Sequence, residues 1–119
     1  MLRITPQRVA VVYAALRAFP PFCRLKCPAP EAVDFRVSKA VAHDASYTRY
    51  LYTDHHIIEV SLRRNGHFST LAMSVAHEMI HLHQARAKTE TSGAEHNAEF
   101  KRIAHRACRH FGWDEKQFT

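Results

Sequence analysis

The hydrophobic period of this chain switches from that of strands to that of helices around Asn65-Gly66, and that switch limits the folds open to it. Upstream, Ile58, Val60 and Leu62 alternate with Ile57, Glu59, Ser61 and Arg63, the two-residue period of a strand over about 56–63. Val33, Phe35 and Val37 alternate with Asp34, Arg36 and Ser38 in the same way, and a further strand is expected over about 47–52. Downstream, apolar residues recur at helical spacing over about 68–87 and again over about 94–111, where Gly112 stops the pattern. Near the start, Val9, Val12, Tyr13, Leu16 and Phe19 define a helix that Thr5-Pro6 opens and Pro20-Pro21 ends. The patterns together predict an α+β fold: an N-terminal helix, a small and mainly antiparallel three-stranded sheet, and two further helices.

With 119 residues, 46% of them apolar and 24% charged, the chain reads as a single domain over 1–119. Arg8 and Arg17 bracket the apolar run VAVVYAAL too closely for a membrane span, and Thr5-Pro6 makes that run a helix start in preference to an export signal. No membrane partner is expected. Three cysteines, Cys23, Cys27 and Cys108, are an odd number and read as free thiols in a reducing compartment, which points to the cytoplasm. Cys23 and Cys27 have loose metal-ligand spacing, but no second cysteine pair follows to complete a site. The formal charge of +6 favours a polyanion such as DNA as a partner through a basic surface, although the Lys and Arg residues are spread along the chain.

The segment HEMIH, residues 77–81, matches HExxH inside the first of the two later helices. In a chain with this many histidines such a match arises by accident roughly one time in twenty, so its placement matters more than its presence. At 100° per residue His77 and His81 lie about 40° apart on one helix face, with Thr70, Ser74 and Gln84 on the same side. Phe68, Leu71, Ala72, Val75, Met79 and Leu82 supply an opposite, core-facing side. Two imidazoles one turn apart can share one ion, and Glu78 beside them can take a proton from a water.

A catalytic zinc site takes three protein ligands and leaves one position open, so a third ligand is expected downstream. His96 is the leading candidate, with Glu95 and Glu99 as alternatives. Ser92-Gly93-Ala94-Glu95 has the form of a capping box, which predicts that the last helix starts at Ser92 and carries His96 in its first turns. There the helix dipole would favour the neutral ring. Phe100, Ile103, Ala104, Ala107 and Phe111 form that helix's core stripe, and His83 is weighed as a group supporting the metal site. The other histidines read as surface or packing residues.

These segments resemble the SprT-like family of zinc metallopeptidases, the Spartan/SprT-like domain, which includes short bacterial and phage proteins as well as DNA-dependent proteases. TLAMSVAHEMIHLHQ at 70–84, HNAEF at 96–100 and RHFGWDEKQF at 109–118 are similar to the family's active-site helix, third-ligand segment and closing helix, and IIEVSLRRNG at 57–66 to its preceding strand. The likeness covers about 33–118 and implies a minimal zincin-like fold, zinc on His77, His81 and His96, and Glu78 as general base. Asn97 stands where many members have Gly, a change expected to cost little. No zinc-ribbon pattern follows within these residues, so any contact with DNA is expected from this domain itself.

The expected activity is zinc-dependent hydrolysis of a protein or peptide substrate, with the strand over about 56–62 as the edge along which it lies. His67, His83 and the tyrosines are the candidates for stabilising the oxyanion. The alternative is a non-catalytic, zinc-stabilised basic module that binds DNA or protein. A peptide deformylase also uses HExxH, but it needs a Gly-Cys-Leu context that none of the three cysteines has.

Overall fold

A computed structural model of the chain describes residues 3–49 and 54–119. Its order is α1 (Pro6–Arg17), β1 (Val33–Ser38), β2 (Ala45–Arg49), β3 (His56–Ser61), α2 (Phe68–Ala87), α3 (Ala98–Phe111) and α4 (Glu115–Phe118), with short 3₁₀ turns at Phe22–Arg24 and Pro30–Ala32. The fold is α+β, as the periodicities predict. Among the described residues no helix is long and apolar enough to cross a membrane.

The sheet is mixed, not mainly antiparallel. Its order is β1-β3-β2, with β3 parallel to β1 and antiparallel to β2. Alternation reveals which face of a strand is buried but not the direction of its neighbour, so the insertion of β3 between β1 and β2 leaves no mark in the pattern. Being central, β3 is buried on both faces, with His56, Ile57, Ile58, Val60 and Ser61 all under a tenth exposed. It therefore cannot serve as a free edge for a substrate; the edge strands are β1 and β2. The second strand begins at Ala45, and residues 50–52 of its expected span lie outside the described residues.

Helix α2 is the hub, packing against α1, β2, β3, α3 and α4. Leu71, Ala72, Val75, Met79 and Leu82 are buried as expected, whereas Phe68, in the first turn, is exposed. α1 buries Val9, Val12, Tyr13 and Leu16 and leaves Phe19 out at its end. Asn65 is not a simple turn residue. It is 1% exposed, and its amide donates to the carbonyls of Asp44 and Ser61 while its carbonyl accepts from Ser74 Oγ. The bend between β3 and α2 is thereby tied to the entry of β2 and to one side of the motif helix.

The connector after α1 is held as firmly. Tyr13 donates to Pro28 O, Arg17 to Cys27 O, and Arg86 to Lys26 O. His83 Nδ1 accepts from the Lys26 amide at 2.9 Å, so its ring is spent anchoring this connector to α2 and does not support the histidine cluster. Cys23 is exposed, Cys27 and Cys108 are buried, and all three are free thiols.

Candidate metal centre

His77, His81 and His96 come together, each offering a ring nitrogen within 4.8 Å of the others. The first two owe this to helical spacing on α2. His96 arrives differently. α3 begins at Ala98, not Ser92, with Asn97 as its N-cap accepting from the Phe100 amide, so His96 lies just outside the helix. The residues read as a capping box instead make a turn, with Gly93 at φ +80° and a bridge between Thr91 and Ala94. Glycine suits that left-handed position, and an asparagine at N-cap, worth about 1 kcal/mol over alanine, decides where the helix starts. His96 therefore sits ahead of the N-cap and is positioned by the return loop, not by a turn of α3.

Asn97, expected at a helical position, is instead the N-cap of α3 and the hinge pin of this arrangement. Its Nδ2 donates to Thr89 O and Thr91 Oγ1, and its Oδ1 accepts from Gln84 Nε2 at 2.9 Å. Gln84, one turn beyond His81 and 1% exposed, also donates to Glu99 Oε1, which accepts from Thr89 Oγ1 as well. The end of α2, the return loop and the start of α3 are thus held by one polar network beside His96. Glu99 is engaged in that network, whereas Glu95 is exposed on the loop.

Phe100 packs under all three rings, stacked on His96 at 4.1 Å and 4° and lying 4.7 and 5.0 Å from His81 and His77. It belongs to the core stripe, being fully buried, and at the same time forms the floor of the cluster. The wall comes from α4. A stack from Phe111 through Trp113 to Phe118 brings the Phe118 carbonyl to 2.8 Å from His77 Nδ1. A carbonyl only accepts, so Nδ1 carries the proton and Nε2 keeps its lone pair for another partner. His81 Nε2 and His96 Nε2 are buried and make no hydrogen bond among the described residues. Buried nitrogens without partners are costly unless a ligand takes them, and neutral imidazoles suit a borderline divalent ion, so this triad can hold a metal.

Burial lowers His77, and it pushes His81 down to about 4, with the adjacent His77 and His96 adding to the effect. Glu78 is 7% exposed, and burial, helped by Glu95 and Asp44, raises its carboxyl to about 8. A neighbouring dication acts in the opposite sense and favours the carboxylate. The triad and Glu78 line one cleft of about 890 Å³, together with Ser46 and Tyr47 of β2, Ser74 of α2 and Phe118 of α4.

Tyr47 carries a feature that the sequence does not signal. Asp54 Oδ1 lies 2.5 Å from His56 Nε2, and His56 Nδ1 lies 2.6 Å from the Tyr47 hydroxyl. With Nε2–H donating to the Asp54 carboxylate, Nδ1 accepts from the Tyr47 hydroxyl, whose phenol is held against the cleft wall. His56, fully buried, therefore orients a cleft residue, although spacing alone assigns it to the surface or to packing.

The chain matches no protein-family model, no curated protein and no solved structure.

Proposed function

We propose that this chain is a zinc-dependent endopeptidase with a zincin-like site of the SprT-like kind, acting on a protein or peptide substrate. The single observation that carries the reading is the set of three converging imidazoles with unpartnered nitrogens beside a buried glutamate in an open cleft. His77, His81 and His96 would hold the ion. Bound there, zinc supplies Lewis acidity, polarising a carbonyl and making a water a better nucleophile at neutral pH. Glu78 accepts the proton of the attacking water and returns it to the departing amine. The Phe118 carbonyl and the Phe100 ring hold the histidines in place while this proton moves. An extended peptide can pair with the outer edge of β2, which borders the cleft and has no strand beyond it among the described residues. The free thiols accord with a cytoplasmic setting.

The deciding experiment is metal analysis and casein cleavage for wild type and Glu78→Gln. The variant is expected to keep its zinc and to lose cleavage by about 10²–10⁴-fold. Undiminished cleavage contradicts the role given to Glu78.

One observation favours the alternative, a zinc-stabilised module that binds nucleic acid. From residue 101 to 110, every exposed side chain of α3 is Lys, Arg or His: Lys101, Arg102, His105, Arg106, Arg109 and His110. The opposite face is buried in the core, which leaves no apolar side for insertion into a lipid surface. A duplex DNA partner meeting this face would be released by salt, with a slope of about −0.9 per phosphate neutralised. Such binding would be indifferent to Glu78→Gln, whereas peptide hydrolysis would not.

A further inference from the structure

Charge is distributed against the trend of the chain as a whole. There are 17 Lys and Arg and 11 Asp and Glu, yet the cleft is lined by Asp44, Glu78, Glu90 and Glu95 and by no Lys or Arg among the described residues. Lys101 and Lys116 border a separate depression that also touches His96. Asp44 is occupied by Arg64, whose Nε donates to it at 2.6 Å. Glu90 and Glu95, both exposed on the loop between α2 and α3, make no hydrogen bond or ion pair with any described residue. An acidic pair on a loop is ordinarily a solvated feature. Here it flanks buried polar groups presented to the same cleft: Glu78, 7% exposed and without a hydrogen-bond partner among the described residues, and the unpartnered Nε2 atoms of His81 and His96. Those groups mark the cleft as a place built for a ligand, and the carboxylates at its rim set the sign of what enters.

Resting on the peptidase reading, we propose that the cleft selects peptides with Lys or Arg beside the scissile bond, Glu90 and Glu95 receiving the cationic side chains. Charges on the outer surface are screened beyond about 8 Å at physiological salt, so the net charge of the chain is weak at the cleft. At its rim, Glu90 and Glu95 meet an entering side chain at contact distance, well within one screening length, although both are exposed to solvent. A guanidinium can bridge two carboxylates with charge-assisted hydrogen bonds, and an ammonium can serve one of them as a point charge. The preference therefore runs opposite to the one that a net charge of +6 would impose.

The test uses zinc-loaded Glu78→Gln protein, so that binding is read without turnover, and three labelled peptides of equal length with a common apolar centre flanked by Lys, Ser or Glu. Fluorescence anisotropy is expected to rank Lys over Ser over Glu, with about tenfold between the first two and a decline as salt rises. Adding Glu90→Gln and Glu95→Gln, both at exposed positions, should bring the Lys peptide to the level of the Ser peptide. Tightest binding of the Glu peptide, an unchanged Lys preference in the triple variant, or failure of all three peptides to bind overturns the proposal. A Lys preference that follows Glu90 and Glu95 in a protein whose wild type cleaves nothing supports the cleft assignment and contradicts hydrolysis alone.

Discussion

The two halves of the histidine cluster are built by different means. On α2, His77 and His81 are aligned by the pitch of a helix whose buried residues anchor it to β2, β3, α1 and α3. On the return loop, His96 has no helix to hold it and depends on Asn97, Gln84, Glu99, Thr89 and Thr91, five residues joined by hydrogen bonds across three segments. A ligand placed by helical pitch is fixed by local geometry. One placed by a network is only as secure as the network, so the loop half should be the easier to loosen.

The largest effect is expected from removing ligands. His81→Ala and His96→Ala should each abolish stoichiometric zinc at micromolar protein, read by metal analysis after gel filtration; retained metal in His96→Ala would move the third ligand to Glu95. The comparison is sharpened by Gln84→Met, which keeps the side-chain volume but removes both donors. It should weaken zinc about 10–100-fold, the usual range for groups that support metal ligands. If Gln84 acts through His96, that loss disappears in a His96→Ala background, and a double-mutant cycle with residual affinities shows strong non-additivity. An additive result would assign Gln84 to general stability.

A smaller effect concerns Glu78 in the metal-free protein. Its folded carboxyl titrates at about 8, against 4.5 as the ordinary value, so between these limits the folded state binds the extra proton and stability falls as pH rises. His81 works in the opposite direction, but only below 6.5, because its folded value is about 4. Between pH 6.5 and 8 the Glu78 contribution stands clear, with a slope of up to about 1.4 kcal/mol per pH unit. Urea titrations of metal-free protein should show this decline, and Glu78→Gln should flatten it. Smallest is Lys88, which ends α2 at φ +60°, a left-handed position that favours glycine. Lys88→Gly should raise stability by about 0.5–1 kcal/mol in the same titrations, and a loss would show that the loop half tolerates no added freedom.

The same division separates what the sequence discloses from what it hides. Periodicity places α1, α2 and the core stripe of α3, and it puts His77 and His81 on one face, because each of these depends on residues a few positions apart. The parallel pairing of β1 with β3 is hidden, since alternation is blind to strand direction. The start of α3 is misread because two capping signals compete, and Asn97 prevails over Ser92 through partners on α2 and the return loop. The Phe118 carbonyl on His77 is a backbone group 41 residues away, and a backbone acceptor has no side-chain signature. Tyr47, His56 and Asp54 meet only after β2 and β3 pair, which makes a buried histidine in a strand look like packing.

The central claim is that three imidazoles gather around one divalent ion and leave a position open. X-ray absorption at the zinc edge of the loaded protein tests it most directly. Three histidine nitrogens at about 2.0–2.1 Å, one light oxygen ligand and no sulfur are expected. A sulfur shell near about 2.3 Å, a fourth imidazole in place of the oxygen, or failure to retain zinc would contradict it.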